Sequence, residues 1–131
     1  MPDTARLETF PTPDNAGTDA PIVIEHVSDE FTSLCPKTGH PDFGTVTLRY
    51  RPRPANDGGV CVELKSLKLY YQSFRTEGIF YEAVTATIRH HLTELISPAW
   101  LQIRTDWKGR GGISSTIRAD HGDVPPEWRG R

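Results

Sequence analysis

Apolar side chains recur with two different periods along the chain. Over 67–74 and again over 80–95 they are spaced three or four residues apart, which is the pattern of a helix with one buried face. The first segment ends before Gly78. The second ends at Ser97, because a residue that precedes a proline avoids the helical region. The pattern predicts one short and one longer amphipathic helix.

A period of two marks the segments on either side of the helices. Apolar and polar residues alternate over 46–51 and again over 60–64, which predicts two half-buried strands. The segment between them, 51–59, contains two prolines and an Asn-Asp-Gly-Gly sequence, and is predicted to close a hairpin. Further strands are predicted over 21–27, 100–107 and 113–118, followed by an irregular tail over 124–131.

The order of these elements, a strand pair, two helices and a second strand pair, indicates the α+β class. Two segments show no clear period. Residues 1–20 are rich in Pro, Asp, Thr and Ala and are predicted to form a flexible arm, which leaves 21–131 as a single domain. Residues 31–44 contain two prolines and two glycines, and are predicted to form an ordered loop.

Composition narrows the class of protein. The formal net charge is −2, which favours neither nucleic-acid binding nor membrane-surface binding. The two cysteines are fewer than a secreted disulfide scaffold carries, and no apolar run approaches the length of a membrane span. The first residues lack the charged-then-apolar order of a signal peptide. We therefore expect a cytoplasmic protein that binds neither nucleic acid nor membrane directly.

Cys35 is the strongest candidate for chemistry. It lies in the predicted loop just before Pro36, and Asp42 follows seven residues later, close enough to fold back toward the sulfur. A nucleophilic thiolate needs a neighbouring group that handles protons, and a carboxyl group held in an apolar pocket beside Phe43 can act as an acid. The alternatives are a buried structural cysteine and an ordinary Pro-Asp-Phe-Gly turn.

Basic residues cluster at two places that suit phosphate groups. Lys65 and Lys68 lie where the strand over 60–64 passes into the first helix, and a helix N-terminus with adjacent lysines favours anions. Arg110 precedes Gly111-Gly112, whose backbone N–H groups can approach an anion closely. The alternatives are a solvated helix face and a simple turn. The chain lacks a G-x-G-x-x-G sequence after a strand, and therefore the Rossmann fingerprint.

Glu82 is a candidate for recognising a heterocyclic base. It follows Phe80 and Tyr81, and a carboxylate can accept two parallel hydrogen bonds from a guanine-like ring while aromatic side chains stack on that ring. Acidic residues are also common in first helical turns for structural reasons. Cys61 is expected to be a packing residue of its strand. The cysteines and histidines lack the spacing of zinc ligands, so no metal is predicted.

Together these motifs resemble one family. The segment over 31–44, the Glu-Leu-Lys-Ser-Leu-Lys-Leu-Tyr sequence over 63–70, the residues over 73–75 and 80–82, and the Arg-Gly-Gly-Ile-Ser sequence over 110–114 carry the resemblance. They look like the corresponding segments of the NADPH-dependent 7-cyano-7-deazaguanine reductases of queuosine biosynthesis (QueF). The short chain is similar to the single-module subgroup of that family.

The resemblance implies a tunnelling fold (T-fold), in which an antiparallel sheet carries two helices on one face and sheets from several subunits close an oligomeric barrel. It implies a homo-oligomer of pentameric rings, often stacked into a decamer, with sites at subunit interfaces. It also implies reduction of the nitrile of 7-cyano-7-deazaguanine to 7-aminomethyl-7-deazaguanine. The reaction consumes NADPH, proceeds through a covalent cysteine thioimide and belongs to a tRNA modification pathway.

Residue roles are implied by the same resemblance. Cys35 stands at the nucleophile position and Asp42 at the proton-donor position. The substrate-binding positions are Val62, Glu63, Leu64, Tyr81 and Glu82. The NADPH-binding positions are Leu64, Lys65, Arg110 and Gly111, and the lysine pair adds Lys68.

Tyr81 departs from the family pattern. Many members carry a histidine immediately before the substrate-binding glutamate, where this chain has a tyrosine. A phenol can form hydrogen bonds but does not titrate near neutral pH. A packing or substrate-orienting role is therefore expected at this position, rather than proton transfer.

Three other classes of protein remain open. A related non-redox enzyme would keep the cysteine and the aspartate but add ammonia or another amine to the nitrile, as in archaeosine formation; Lys65 and Lys68 argue against it. A cyclohydrolase-like enzyme of the same fold would need a zinc site, which the cysteine and histidine spacing does not supply. A plain binding module is expected only if Cys35 is buried and inert.

Overall fold

The structure is a computed structural model that describes residues 2–13 and 22–129. Short 3-10 helices lie at Thr4–Arg6, Ala55–Asp57 and Pro126–Trp128. The longer elements of the described residues are, in chain order, β1 (Thr9–Pro11), β2 (Ile24–Leu34), β3 (Pro41–Arg51), β4 (Val60–Val62), α1 (Leu64–Gln72), α2 (Tyr81–Ile96), β5 (Trp100–Arg110) and β6 (Ile113–Gly122).

Four long strands form an antiparallel sheet in the order β2-β3-β5-β6. The sheet consists of two hairpins. A turn over 35–40 joins β2 to β3, and Gly111 and Gly112 join β5 to β6. Both glycines have positive φ, 57° and 82°, which a residue without a Cβ adopts at little cost. The hairpins pair through β3 and β5, where Leu48 lies opposite Ile103.

Both helices lie close to their predicted positions. The carboxylate of Glu63 caps α1 and accepts hydrogen bonds at 2.8 Å from the backbone N–H groups of Lys65 and Ser66. Helix α2 ends at Ile96, and its C-cap residue Ser97 has a left-handed conformation with φ 41° and precedes a proline. The prediction of two helices is confirmed, although α1 begins at Leu64, one turn before the apolar spacing becomes visible.

One core lies between the helices and a single face of the four-stranded sheet. Alternate residues of β3 and β5 point into it, as the period of two predicts, so the α+β prediction with two helices on one face is confirmed. Burying one leucine- or phenylalanine-sized side chain contributes roughly 1.5–3 kcal/mol. The core includes Phe31, Val46, Leu48, Tyr50, Leu67, Tyr70, Phe74, Val84, Ile88, Leu92, Leu101, Ile103 and Trp107.

The predicted hairpin between β3 and β4 is wrong. Pro52 and Pro54 lack the N–H groups that a ladder of strands needs, and the chain leaves the sheet after β3. Strand β4 pairs instead with β1, and Thr9 lies opposite Val62. A side chain still links β3 to β4, because the Tyr50 hydroxyl accepts a hydrogen bond from the Val62 N–H at 3.1 Å.

Residues 2–13 depart from the predicted flexible arm. The first 3-10 helix lies against α1, and β1 pairs with β4. The Glu8 N–H donates to Ser66 Oγ at 3.0 Å and the Asp3 N–H donates to Ser73 Oγ at 2.8 Å. Strand β1 has only three residues, which is too short for an alternating pattern to be recognised in the sequence. The rest of the predicted arm, from residue 14 onward, lies outside the described residues.

Candidate active site

Cys35 lies in the tight turn between β2 and β3. Only residues 35–40 of the predicted loop over 31–44 lie outside these strands, so that prediction is wrong for most of the segment. Two backbone hydrogen bonds of 2.8 Å close the turn, from the Cys35 N–H to His40 O and from the Gly39 N–H to Cys35 O. The hairpin places the cysteine at a fixed position at the edge of the core.

Gly44 explains part of the wrong loop prediction. A Cβ at this position would lie 2.8 Å from Cε3 of the Trp107 ring and 2.9 Å from Asp106 O. The glycine is therefore required by close contact between β3 and a ring on β5, and not by a turn.

The Cys35 thiol is partly exposed, and hydrogen-bond donors surround it. These donors are the Thr38 hydroxyl, the backbone N–H groups of Thr38 and Lys37, and the Arg110 side chain. These donors stabilise the thiolate and lower the pKa of Cys35 from 9.0 to about 7, with the Thr38 hydroxyl as the largest cause. Near neutral pH, a large share of this thiol is ionised.

Asp42 lies at the start of β3, opposite Ser33, and its side chain is 4% exposed. Its Oδ1 atom lies 2.9 Å from Arg110 Nη2 and accepts a hydrogen bond from the Tyr81 hydroxyl at 3.2 Å. Phe43 is exposed on the opposite face of the sheet, because neighbouring residues of a strand alternate. The carboxyl group is therefore held by polar partners, and not in the apolar pocket expected beside Phe43.

Tyr81 is fixed in place by Trp107. The two rings stack with their centroids 4.1 Å apart and an interplanar angle of 6°. Buried hydroxyl groups form hydrogen bonds next to this stack. Thr85 Oγ1 donates to Tyr81 O at 2.9 Å and lies 2.7 Å from Thr105 Oγ1. The Trp107 Nε1–H donates to Thr105 Oγ1 at 2.9 Å. Burial, and then the charge of Asp42, raise the pKa of Tyr81, so its hydroxyl remains a donor.

Arg110 joins the thiol to the carboxyl group. It is the last residue of β5, and the pairing of β5 with β6 shifts register between Trp107 and Arg110, which redirects the side chain. Its guanidinium lies 2.9 Å from Asp42 Oδ1 and also helps to lower the pKa of Cys35. The predicted residues Cys35, Asp42, Tyr81 and Arg110 thus meet at one place, and Gly111 follows in the adjoining turn.

A second group of predicted residues lines a groove of about 630 Å³ between β2 and α1. Glu63, Leu64, Lys65 and Lys68 belong to it. The hydrogen bonds from the backbone N–H groups of the first turn of α1 lower the pKa of Glu63, so this carboxylate stays charged at the mouth of the groove. Arg75 adds a third basic side chain to the groove, which the sequence did not single out as a binding residue.

The core separates these two groups within one chain. The ring of Phe31 lies 5.8 Å from the ring of Trp107 and 5.8 Å from the ring of Tyr71, measured between centroids. Trp107 stacks on Tyr81 at the thiol, whereas Tyr71 lines the groove. The buried Phe31 therefore stands between the two groups.

Two predicted substrate-binding residues, Val62 and Glu82, belong neither to the Cys35 cluster nor to the groove. Val62 is buried under the start of α1, and Glu82 is exposed in the first turn of α2, next to Tyr81. Cys61 is buried, as predicted for a packing residue.

Among residues 2–13 and 22–129, no three His, Cys, Asp or Glu side chains converge to hold a metal ion. In the same ranges, no helix is long and apolar enough to cross a membrane.

Thr38 and Trp107 belong to the site but were not predicted from the sequence. Trp107 was within reach of the pattern, since it occupies the next inward position of β5 after Leu101, Ile103 and Thr105. Thr38 gives a weaker signal, because a hydroxyl three residues after a cysteine approaches its sulfur only if the chain turns tightly between them.

The fold and this cluster define an α+β protein with a cysteine of lowered pKa beside a buried carboxyl group. The family model described as QueF-like protein matches residues 41–126. A relative from Prosthecochloris aestuarii, named NADPH-dependent 7-cyano-7-deazaguanine reductase, is 52% identical over 88% of this chain and 91% of its own length. Relatives of the same name from Chlorobium phaeobacteroides and an Anaeromyxobacter species are 53% and 47% identical, over 88% and 91% of this chain and 91% of each relative.

The chain belongs to the QueF family of NADPH-dependent 7-cyano-7-deazaguanine reductases. A crystal structure described as the archaeosine synthase QueF-Like in the apo form is similar, with a TM-score of 0.67. The match covers 82% of this chain and 99% of that chain at 18% sequence identity. A likeness at this identity shows a shared fold.

Proposed function

We propose that this protein reduces the nitrile of 7-cyano-7-deazaguanine to 7-aminomethyl-7-deazaguanine with NADPH, for the queuosine modification of tRNA. Membership of the reductase family supports the activity. The observation that carries the proposal is the Cys35 sulfur, whose pKa is lowered to about 7 and which Arg110 links to the buried Asp42. The two free cysteines favour a cytoplasmic location.

The thiolate of Cys35 adds to the electrophilic carbon of the nitrile. The Asp42 carboxylate first takes up a proton, from the Cys35 thiol or from solvent. A carbon–sulfur bond then forms, one π bond of the nitrile breaks, and Asp42 passes that proton to the nitrogen, which gives a neutral thioimide. When bound, NADPH supplies the two hydrides that reduce this carbon, one before and one after the sulfur leaves. Cys35 departs as a thiolate, which its hydrogen-bond donors stabilise. Two hydrides and two protons per nitrile balance the conversion to the amine.

The heterocycle is assigned to Tyr81, Glu82 and the start of α1. The exposed Glu82 carboxylate can accept two hydrogen bonds from the guanine-like edge, and Tyr81 supports it from the adjacent position. Val62, Glu63 and Leu64 are the further contact positions. These roles are proposed by correspondence with the family motifs.

The groove between β2 and α1 suits part of NADPH. Its volume of about 630 Å³ is in the usual range for ligand sites, and Lys65, Lys68 and Arg75 supply positive charge for phosphate groups. Leu64 adds exposed apolar surface at the same place. Arg110 and Gly111 are proposed to contact the same cofactor from the turn beside Cys35.

We propose that the functional unit is a T-fold barrel built from several copies of the chain, as pentameric rings alone or as a decamer of two rings. Phe31 separates the Cys35 cluster from the Lys65 groove within one chain, whereas hydride transfer requires the two to meet. Strands β2 and β6 are edges of the sheet in the described residues, so each can pair with another subunit. A groove from one subunit would then complete the thiol cluster of its neighbour.

The test is NADPH oxidation by the purified protein with and without the nitrile. We expect nitrile-dependent oxidation of two NADPH per aminomethyl product. Cys35→Ala should abolish it, and Cys61→Ala should leave it intact, since that cysteine is buried away from the cluster. Conversion of the nitrile to an amidine by ammonia without NADPH loss would instead establish the amine-adding class and overturn the reductase proposal.

A further inference from the structure

We propose that Ser33 is a positioning residue for the proton that Asp42 delivers, because its hydroxyl oxygen is the acceptor that the protonated carboxyl group needs. The role deepens the proposed function and rests on Asp42 acting as the acid toward the nitrile. Ser33 lies in β2, two residues before Cys35, and is 0% exposed.

The hydroxyl of Ser33 is a buried polar group without a hydrogen-bond partner among residues 2–13 and 22–129. In the same ranges, two other buried hydroxyl groups share this property, those of Tyr71 and Thr93. A buried hydroxyl that forms no hydrogen bond is unfavourable, so folded proteins keep few of them. Such a group points to a partner that is present only in another state of the site.

Asp42 is the neighbour of Ser33 across the sheet. The two residues lie directly opposite each other in the pairing of β2 with β3, and residues in that relation point their side chains to the same face. Both side chains are buried. The Cβ atoms of such a pair lie about 4.5–5.5 Å apart, a separation that a hydrogen bond between a hydroxyl and a carboxyl group can span.

The partners that Asp42 has in the structure favour its charged form. Arg110 of β5 lies 2.9 Å from Oδ1, and the Tyr81 hydroxyl of α2 donates to the same oxygen at 3.2 Å. A protonated carboxyl group carries an O–H donor, which needs an acceptor when it is buried, and a guanidinium has none. Because two donors already occupy Oδ1, we expect the proton on Oδ2.

Ser33 supplies that acceptor from the other side of β3. Strand β3 lies between β2 and β5, so Asp42 stands between Ser33 and Arg110. The terminal torsion of an aspartate is soft, and a rotation about it turns Oδ2 toward Ser33 Oγ. The proton that Asp42 takes from Cys35 or from solvent then stays on the carboxyl group until the nitrile nitrogen receives it. The hydrogen bond is made in the acid state, where it offsets the effect of Arg110.

The test removes the hydroxyl with Ser33→Ala and keeps it with Ser33→Thr. The rate at which the protein gains the mass of 7-cyano-7-deazaguanine is measured without NADPH, and kcat and KM are measured with it. We expect Ser33→Ala to lower the adduct rate and kcat by about three- to tenfold, the effect of one hydrogen bond, with KM within about twofold of the wild type. Ser33→Thr should stay within about twofold of the wild type in all three.

Stability separates this role from a structural one. Because the Ser33 hydroxyl has no partner in the described part of the fold, Ser33→Ala should unfold at or above the denaturant concentration of the wild type. Thr93→Val is the matched control, since it also removes an unpartnered buried hydroxyl. Thr93 lies on α2 roughly 18 Å along the helix from Tyr81, so this variant should keep the wild-type adduct rate.

A double-mutant cycle with Asp42→Asn tests whether Ser33 acts through Asp42. The asparagine has no acid proton for Ser33 to hold. In that background, Ser33→Ala should therefore slow adduct formation by less than about twofold. An equal loss in both backgrounds would mean that Ser33 acts on something other than Asp42, and would overturn the proposal.

Four further results also overturn it. They are a wild-type adduct rate in Ser33→Ala, a lower denaturation midpoint or failure to fold in that variant, a Ser33→Thr variant of wild-type stability that reacts as slowly as Ser33→Ala, and an equal loss of rate in Thr93→Val. A wild type that forms no adduct and oxidises no NADPH removes the proposed function. A wild type and a Ser33→Ala variant that form the adduct equally fast remove the role of Ser33 alone.

Discussion

The guanidinium of Arg110 lies 2.9 Å from Asp42 Oδ1, and the two side chains differ tenfold in exposure, 45% against 4%. The carboxylate is enclosed by the protein, whereas the arginine faces outward. Because the same guanidinium helps to lower the pKa of Cys35, it couples the proposed nucleophile to the proposed acid. A ligand that draws Arg110 outward would change the surroundings of both groups together.

Replacing Arg110 tests this coupling. Arg110→Gln should lower the free energy of unfolding by about 1–2 kcal/mol, because a buried carboxylate loses a charged partner and keeps the Tyr81 hydroxyl. It should also raise the pKa of Cys35 slightly, since Arg110 is the last of the groups that lower it. Chemical denaturation and the pH dependence of alkylation measure the two effects.

The Arg104–Asp106 pair provides the matched control for that experiment. Its atoms also lie 2.9 Å apart, but both side chains are partly exposed, at 29% and 37%. Arg104→Gln should change stability by less than about 1 kcal/mol and leave the thiol unchanged. Equal effects of the two substitutions would contradict a specific role for Arg110.

Asp42→Asn should separate binding from turnover. The amide keeps the shape of the side chain but cannot deliver a proton in the same way, so we expect kcat to fall about 100-fold or more. Binding of the nitrile, followed by calorimetry, should change much less. Asp106→Asn removes a carboxylate from the opposite face of the sheet and should leave kcat near the wild-type value. A wild-type kcat in Asp42→Asn would show that another group supplies the proton.

Tyr81 is predicted to orient Asp42 rather than to transfer protons. Tyr81→Phe keeps the stack on Trp107 and removes only the hydrogen bond to the carboxylate, so kcat should fall about tenfold with little change in KM. Tyr81→His introduces a group that titrates near neutral pH, and should add a new step to the pH profile of kcat. A Tyr81→Phe variant with an unchanged kcat would limit this residue to packing.

Local periodicity accounts for most of the fold that the sequence predicted. The alternation through Val46 and Leu48 and the helical spacing through Val84 and Ile88 arise because each element buries one face. An element buried on one face repeats its apolar residues with its own period, so the local sequence reveals it. The pairing of β4 depended on Thr9, a partner about fifty residues earlier, and local pattern carries no such information. The hairpin prediction failed for that reason.

The chemistry of the site was predictable in part. Cys35 and Asp42 were predicted as a nucleophilic thiol and a nearby acid from their residue types and their short separation. The prediction was possible because both residues lie in one hairpin. The stack of Tyr81 on Trp107 joins α2 to β5, and the link from Arg110 to Asp42 joins β5 to β3. Such contacts arise only when the hairpins and helices pack, and no spacing along the chain encodes them.

Complementation between inactive variants tests whether two subunits build one site. Cys35→Ala and a Lys65→Ala/Lys68→Ala double variant should each be inactive alone. Co-expressed at equal levels, they should recover about a quarter of the wild-type activity, since random assembly pairs an intact thiol with an intact groove at about one interface in four. Activity is measured as nitrile-dependent NADPH oxidation on purified mixed assemblies. An inactive mixture would place the whole site within one chain.

The most direct test of the account is the mass of the intact protein after incubation with 7-cyano-7-deazaguanine in the absence of NADPH. We expect one added substrate mass per chain, located on Cys35, absent from Cys35→Ala and lost when NADPH is supplied. Because the thiolate is the reacting form, the rate of addition should rise with pH through about 7 and then level off. Nitrile-dependent NADPH oxidation by a wild-type protein that never gains this mass would contradict the central claim of a bond between Cys35 and the nitrile carbon.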